Sequence, residues 1–204
     1  MGESRSVHKD RRAHLTRITK ETDISLELNL DGSGCNDIKT GVPFFDHMME
    51  AFAKHGLFDL CIQAVGDIDV DAHHSVEDVG IVLGQAFSQA LGDKKGIVRF
   101  GSVFVPMDEA LLLAACDISG RGQLYYDVEL PIEIIGTFDT TLAKEFFIAF
   151  ASNAGISLHI NAFAGENAHH IIEAAFKAAA RALSEAVAIN PRIAEVLPST
   201  KGSL

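Results

Sequence analysis

The spacing of apolar residues along the chain predicts alternating strands and helices, in the same order in both halves. Residues 14–22 alternate weakly and residues 24–30 alternate strictly between apolar and polar side chains, which is typical of half-buried strands. Residues 44–55 carry apolar side chains at helical spacing, a strand is predicted over 59–65, and a second helix over 73–90. The first half is therefore predicted to contain strands, a helix, a strand and a helix.

The second half is predicted to repeat this order. Its elements are predicted at residues 98–107, 110–118, 123–130, 141–153, 155–162 and 169–187. Antiparallel strands that carry both helices of each half on one face of their sheet make an α+β class. We therefore predict a single α+β domain of two pseudo-repeats, about 14–96 and 97–190. A polar and basic arm over 1–13 is expected to precede them, and a tail over 191–204 to follow.

The composition of the chain excludes several classes of protein. With 48% hydrophobic residues among 204, the chain can bury the core of one domain, but no apolar run approaches the ~20 residues that span a bilayer. A formal net charge of −11 argues against nucleic acid or a membrane as a partner. Cys35, Cys61 and Cys116 form no CxxC motif, so we predict reduced thiols and a cytoplasmic protein. The chain contains no glycine-rich nucleotide-binding motif.

One short motif, His-His-x-x-Glu, occurs once in each half. Its first copy is His73, His74 and Glu77, and its second copy begins 96 residues later. On a helix the glutamate shares a face with one of the histidines, whereas adjacent histidines diverge by about 100°. The adjacent histidines are therefore suited to two different ions, or to one ion and a substrate. Imidazole together with carboxylate suits a divalent metal such as Mn, Fe, Co, Ni or Zn.

The repeat also predicts one further ligand-type side chain from the first helix of each half. We align these helices at the glycines predicted to end them, Gly56 and Gly155, and His47 then falls near Glu145 or Phe146. Considered alone, each of these polar residues has an ordinary explanation as the solvated edge of a helix. The eight predicted metal ligands, enough for two ions with open positions, are His47, His73, His74, Glu77, Glu145, His169, His170 and Glu173.

Seven short motifs in a fixed order carry a resemblance to a known family. They are TKET at 19–22, GVPFFDHM at 41–48, HGLFD at 55–59, DAHHSVED at 71–78, PMDEA at 106–110, GENAHHIIE at 165–173 and LPSTKG at 197–202. With these motifs the chain resembles the imidazoleglycerol-phosphate dehydratase family from residue 17 to residue 204. The resemblance implies a duplicated unit of the ribosomal S5 domain 2-like group, in agreement with the internal repeat.

The resemblance implies a hydro-lyase of histidine biosynthesis that dehydrates D-erythro-imidazole glycerol phosphate to imidazole acetol phosphate. It implies two Mn²⁺ ions per active site, no organic cofactor, and a substrate imidazole ring that is bound to both ions as an imidazolate. Two ions that stabilise a developing ring anion act as Lewis acids. It further implies a homo-oligomeric cage of twenty-four subunits, built from trimers, with the active sites between subunits.

The resemblance also implies roles for individual residues. Glu21 matches the side chain closest to proton transfer, although considered alone it is a surface glutamate before a strand. His55 shares the face of His47 only approximately and is expected to line the substrate pocket rather than bind metal. Many members of the family carry His where this chain has Glu145. The residues that match phosphate-binding positions, two of them in the tail, are Arg99, Arg121, Lys177, Ser199 and Lys201.

Two other interpretations of the same residues remain open from the sequence. A dinuclear metallohydrolase acting on a phosphorylated small molecule would also use two metals and a cationic pocket, but it would release phosphate. A metal-binding structural or storage assembly would need neither Glu21 nor phosphate-binding residues, and its metals would be coordinatively closed. The substrate of the dehydratase discriminates among the three, because only dehydration forms a ketone that keeps its phosphate.

Overall fold

The structure of the protein is a computed structural model that describes residues 11–204. Two four-stranded sheets, a two-stranded hairpin and four α-helices make up this part of the chain, which confirms the α+β class. The first half consists of β1 (Arg12–Ile18), β2 (Thr22–Asn29), β3 (Asn36–Lys39), α1 (Pro43–Gly56), β4 (Asp59–Gly66) and α2 (His73–Leu91). The second consists of β5 (Phe100–Met107), β6 (Ala110–Asp117), β7 (Gln123–Asp127), the hairpin of β8 (Ile134–Ile135) and β9 (Phe138–Asp139), α3 (Leu142–Ala154), β10 (Ser157–Ala164) and α4 (Ala168–Val187).

The predicted arm over 1–13 is too long. Residues 1–10 lie outside the described residues, but strand β1 already begins at Arg12. Arg11 belongs to the fold as well, since its side chain donates hydrogen bonds to the carboxylate of Asp31 and to the carbonyl oxygen of Val187. The ordered domain therefore starts before the predicted boundary at residue 14.

Each sheet is mixed, so the prediction of antiparallel strands alone is wrong at one edge of each. The strand orders are β1-β2-β4-β3 and β5-β6-β10-β7, and the pairs β3–β4 and β7–β10 are parallel. A helix connects the strands of each parallel pair, and such crossovers are what parallel pairing requires. Strand β3 has no counterpart among the predicted elements, because only Ile38 among its four residues is buried.

The four helices lie on the inner faces of the sheets and pack in pairs that mix the two halves. Helix α2 lies on β1 and β2 and packs against α3, whereas α4 lies on β5 and β6 and packs against α1. Gly80 and Gly84 permit the close approach of α2 to α3, because a Cβ at either position would lie within 2.8 Å of a carbonyl oxygen of α3. No helix within residues 11–204 combines the length and apolarity needed to cross a membrane.

Fully buried phenylalanines join the two helix pairs near the helix starts. The ring of Phe146 on α3 lies 5.5 Å from that of Phe45 on α1 and 5.0 Å from that of Phe176 on α4. Aromatic pairs at such separations stabilise a core beyond the area they bury. This cluster of aromatic rings holds the N-terminal parts of α1 and α3 in place. His47 on α1 and Glu145 on α3 lie close in sequence to Phe45 and Phe146.

The ends of α1 and α3 correct the predicted alignment of the halves by one residue. Helix α1 ends at Gly56 as predicted, but the left-handed residue that caps it is Leu57 (φ 58°), and its counterpart is Gly155 (φ 67°). A glycine is required at position 56 for a different reason: a Cβ there would lie 2.4 Å from the aromatic ring of Phe58. The resulting offset of 98 residues also relates the starts of β4 and β10. It aligns His47 with Glu145.

Candidate metal and substrate site

Three of the predicted ligands meet within one chain, although they come from different halves. His47 Nε2 on α1 lies 3.5 Å from Glu173 Oε2 on α4, and His169 Nε2 lies 3.1 Å from the same oxygen. One donor atom from each of the three residues lies within 4.8 Å of the other two. Among residues 11–204, these three residues form the group of histidine and carboxylate side chains that could hold a metal ion. Two imidazoles and a carboxylate suit a divalent transition metal, so the donor set fits the manganese that the resemblance implies.

The start of α4 determines how these ligands are presented. The side chain of Asn167 caps the helix by accepting hydrogen bonds from the backbone N–H groups of His169 and His170, which therefore occupy its first turn. Glu173 follows one turn later and is buried. Lys177 Nζ lies 2.7 Å from Glu173 Oε1, which leaves Oε2 facing the histidines. Burial by itself would raise the pKa of Glu173, but the hydrogen bond and charge of Lys177 lower it on balance.

The matching set on α2 and α3 is less complete within one chain. His73 Nε2 lies 3.9 Å from Glu77 Oε2, and both side chains are partly exposed. Glu145 is half-buried in the first turn of α3, where the helix dipole favours a carboxylate even without a metal. In the described part of the chain, Glu145 joins no group of three donor atoms within 4.8 Å.

The adjacent histidines of each motif face different directions, as helical spacing predicts. The rings of His73 and His74 are 88° apart in orientation with centroids 6.1 Å apart, and those of His169 and His170 are 75° and 6.1 Å apart. His169 faces the cluster with His47, so His170 faces away from it. We call His74 and His170 the outward histidines; their rings contact carboxylates of the same chain rather than the cluster.

Two carboxylates that are not among the predicted site residues bind these outward histidines. Both oxygens of Asp67 lie 3.1 Å from His74 Nδ1, and Glu109 Oε2 lies 2.7 Å from His170 Nδ1. These hydrogen bonds raise the pKa of each histidine. Hydrogen bonds lower the pKa of Glu109 to about 2. The largest effect comes from the backbone N–H of Asn167 and the next largest from the side chain of His170. Glu109 lies within the PMDEA motif, which is a signal in the sequence, whereas no spacing along the chain relates Asp67 to His74.

Glu21 lies beside one of the outward histidines, in the turn between β1 and β2. Its Oε2 is 4.0 Å from His74 Nε2, and its side chain is 54% exposed. The hydroxyl of Thr19 accepts hydrogen bonds from the backbone N–H groups of Glu21 and Thr22. The hydroxyl of Thr22 in turn donates a 2.5 Å hydrogen bond to the buried carboxylate of Asp78 on α2. The hydrogen bond between Thr22 and Asp78 therefore links the turn that carries Glu21 to α2, the helix that carries His74.

Four of the five predicted phosphate-binding residues lie together at one end of the second sheet, namely Arg99, Arg121, Ser199 and Lys201. Arg99 donates hydrogen bonds to Asp117 at 2.7 Å and to the carbonyl oxygen of Pro198 at 2.8 Å, which holds the tail against the sheet. Arg121 Nη2 lies 4.0 Å from the same carboxylate. The backbone N–H of Lys201 donates to the hydroxyl of Ser199.

Lys177 is separated from those four residues by the length of strand β5. Its Nζ lies 3.8 Å from Met107 Sδ at the end of β5, whereas Arg99 immediately precedes the start of that strand. The backbone N–H of Arg99 donates to the carbonyl oxygen of Ala186, which lies roughly 14 Å beyond Lys177 along the axis of α4. The guanidinium of Arg99 is held by Asp117 and Pro198 at one end of the sheet, whereas Lys177 lies near Met107 at the other end.

His55 lies near Lys177, two turns along α1 from His47. Desolvation lowers the pKa of His55, and the charges of Lys177 and Arg181 lower it further. Glu173 of the cluster also influences His55 electrostatically and raises its pKa in part. His55 does not join the group of three donors, and its pocket-lining role stays a prediction.

Comparison with known proteins gives the family of the chain. The family model of imidazoleglycerol-phosphate dehydratase matches residues 40–183. Relatives of that name from Jannaschia sp. (strain CCS1) and Acetivibrio thermocellus are 58% and 60% identical, and the alignments cover 95% and 96% of this chain and 100% of each relative. A crystal structure of imidazoleglycerol-phosphate dehydratase from Staphylococcus aureus subsp. aureus N315 is 40% identical, with a TM-score of 0.80 over 88% of this chain and 99% of that chain. The chain therefore belongs to the imidazoleglycerol-phosphate dehydratase family and is a hydro-lyase of histidine biosynthesis.

Proposed function

We propose that the protein removes water from D-erythro-imidazole glycerol phosphate to give imidazole acetol phosphate, with two Mn²⁺ ions at each active site. The observation that carries this proposal is the meeting of His47, His169 and Glu173 in a member of the dehydratase family. When bound, the ions supply Lewis acidity that stabilises negative charge on the substrate during dehydration.

The eight ligand-type residues divide into groups that suit two ions. His47, His169 and Glu173 would hold one ion, and by the repeat His73, Glu77 and Glu145 would contribute to the other. His74 and His170 face away from these groups, so we propose that they complete the coordination in neighbouring copies of the chain. Positions left open by the protein are available to the substrate, as catalytic metal sites require.

The remaining site residues bind the substrate and move a proton. No carbonyl activates the carbon-bound proton, so its removal requires a well-placed base, and Glu21 beside His74 is our candidate. Charge-assisted hydrogen bonds from arginine and lysine, with a hydroxyl, suit a phosphate dianion. This local cationic set explains how a protein with a net charge of −11 binds an anion. The proposed phosphate ligands are Arg99, Arg121, Ser199 and Lys201 of one chain and Lys177 of another.

The test is an assay of the purified protein with Mn²⁺ and imidazole glycerol phosphate, in which ketone product and free phosphate are both measured. We expect one ketone for each substrate consumed and no free phosphate. Phosphate release without ketone would contradict dehydration and support a metallohydrolase. Bound metal without any turnover would support a storage or structural assembly instead.

We propose a homo-oligomer with active sites between subunits, up to the cage of twenty-four. The positions of Arg99 and Lys177 at opposite ends of β5 support this, because a second copy of the chain could bring its own Lys177 to the phosphate held by Arg99. Exposed apolar surface commonly marks an interaction site, and the second sheet exposes four aromatic side chains, of which Phe104 and Phe163 contact each other. These side chains, each 50–61% exposed, are Phe100, Phe104, Tyr125 and Phe163.

Assembly is expected to depend on metal, because an ion shared between chains converts its binding free energy into association free energy. Metal-free protein should run as a smaller oligomer in size-exclusion chromatography with light scattering, and Mn²⁺ should enlarge it. Ca²⁺ is the control, since it prefers an all-oxygen environment and should have little effect. An unchanged molar mass with and without Mn²⁺ would show that the ions do not join subunits.

Glu145→Ala is expected to bind fewer Mn²⁺ ions per subunit and to lose activity, because a carboxylate is a good ligand for manganese. Glu145→His should restore part of both, since His47 occupies the equivalent position in the other half. Elemental analysis gives the metal content, and Glu129→Ala, at an exposed glutamate that is not among the ligand-type residues, is the matched control. Full metal content and full activity in Glu145→Ala would leave Glu145 as a solvated helix edge.

A further inference from the structure

The outward histidine of each half is bound by a carboxylate, but the two carboxylates come from different places in the repeat. Strand pairing fixes the equivalence of the halves: Asn29 pairs with Asp59 in the first sheet, as Asp117 pairs with Ser157 in the second. Residues of β2 are thus 88 positions before those of β6. Residues of β4 are 98 positions before those of β10 as far as Ala64, and 99 positions before them after the bulge in β10, where Val65 corresponds to Ala164.

These offsets make Glu21 and Glu109 equivalent, yet the two glutamates contact opposite sides of their histidines. Glu109 Oε2 accepts a 2.7 Å hydrogen bond from Nδ1 of His170. Glu21 instead lies on the Nε2 side of His74, at 4.0 Å, which is beyond hydrogen-bond distance. In the first half the carboxylate that contacts Nδ1 belongs to Asp67, and both of its oxygens lie 3.1 Å from Nδ1 of His74.

The residue equivalent to Asp67 in the second half is Glu166, because the bulge in β10 shifts the register by one residue and makes Gly66 the counterpart of Gly165. The backbone N–H of Glu166 donates a hydrogen bond to Glu109 Oε1, and the side chain of Glu166 is exposed. Glu109 holds His170 from the hairpin between β5 and β6. In the first half an aspartate after β4 holds the histidine, and the glutamate of the β1–β2 turn makes no such contact.

A carboxylate at Nδ1 determines which nitrogen of the imidazole carries the proton. An ionised carboxylate only accepts hydrogen bonds, so Nδ1 of His74 and His170 must be protonated and the Nε2 lone pair is left for a ligand. Histidines that bind metals are commonly oriented by such a carboxylate, and removal of that partner typically weakens metal binding by 10–100-fold.

We propose that Asp67 and Glu109 are positioning residues that fix the tautomer and orientation of His74 and His170, and that Asp67 thereby leaves Glu21 available for proton transfer. This inference rests on the proposed function, which gives the histidines a metal and Glu21 a substrate. It assigns different roles to two equivalent glutamates, because the one in the second half orients a ligand and the one in the first half meets the substrate.

The first test is a Mn²⁺ titration of the full chain, followed by electron paramagnetic resonance of the free ion. Asp67→Ala is expected to bind Mn²⁺ 10–100-fold more weakly. Asp67→Asn should recover part of the affinity, because its amide oxygen still accepts from Nδ1. Asp69→Ala, an exposed aspartate on the same loop, is the control and should titrate like the wild type. Wild-type affinity in Asp67→Ala, with its fold confirmed by circular dichroism, would overturn the assignment.

The second test compares the two equivalent glutamates in the same titration. Glu109→Ala should lose Mn²⁺ affinity and recover part of it as Glu109→Gln, whereas Glu21→Gln should keep wild-type affinity. Glu166→Ala, with an exposed side chain beside Glu109, is the control. Equal losses of affinity in Glu21→Gln and Glu109→Ala would overturn this difference in roles. Because the titration needs no substrate, a failure of the dehydration assay would contradict the proposed function without deciding whether Asp67 and Glu109 position ligands.

Discussion

Removal of divalent metal is expected to abolish dehydration, and addition of Mn²⁺ is expected to restore it. Metal Lewis acids contribute several kcal/mol of transition-state stabilisation, which corresponds to a loss of about 10³-fold or more in rate. Within one chain, the donors that support this expectation are His47, His169 and Glu173. Ketone formation is measured after treatment with a chelator and then during stepwise addition of Mn²⁺.

Two controls make this result specific to the metal. Circular dichroism before and after chelation separates loss of metal from loss of fold, and elemental analysis establishes that the metal-free sample contains none. Activity should rise with added Mn²⁺ and saturate near two ions per active site. Undiminished turnover in protein shown to be free of metal would contradict the proposed mechanism outright.

Local patterns predicted most of the secondary structure, because regular elements with one buried face leave a periodic pattern of apolar residues. The strictly alternating stretch over 24–30 lies within β2 apart from its last residue, and the helices around His47 and Glu145 are α1 and α3. Strand β3 escaped prediction because it is a short edge strand with a single buried residue, Ile38. Its pairing depends on β4, which follows it only after a helix.

The residue types of the site were predictable, but their partners were not. The duplicated motif identified His169 and Glu173 as ligand candidates, yet nothing local indicates that His47, from the other half, would be the third donor. That meeting results from the packing of α1 against α4, a contact between distant parts of the chain. Asp67 was missed for the same physical reason, since its hydrogen bond to His74 depends on how the loop after β4 folds back on α2.

Comparison of the two helix pairs shows how the duplicated halves have diverged. The cations near His55 on the α1–α4 side include Lys177, whose equivalent on α2 is Ile81. The equivalent of His55 on α3 is Asn153, which accepts a 3.3 Å hydrogen bond from Gln85. The positions around His55 are therefore cationic on the α1–α4 side, whereas the equivalent positions on α2 and α3 carry the neutral side chains of Ile81, Gln85 and Asn153.

Glu21→Gln is expected to lower kcat by at least about 10²-fold, the usual scale for the loss of a general acid or base. The amide keeps the size and most of the polarity of the side chain but cannot accept a proton at neutral pH. Its turn is held by Thr19 and Thr22, whose hydrogen bonds use the backbone and hydroxyl groups and not the carboxylate of Glu21. The variant should therefore fold normally, bind the wild-type amount of Mn²⁺ and show a KM close to that of the wild type.

Steady-state kinetics of ketone formation, with metal content measured on the same samples, distinguish this role from a structural one. Glu27→Gln is the matched control, because Glu27 is an exposed glutamate on the neighbouring part of β2 and faces away from α2. A structural role for Glu21 would lower metal content or thermal stability together with kcat, whereas a role in proton transfer lowers kcat alone. A kcat near the wild-type value in Glu21→Gln would remove Glu21 from the proposed mechanism, and the proton would have to be taken by another group close to His74.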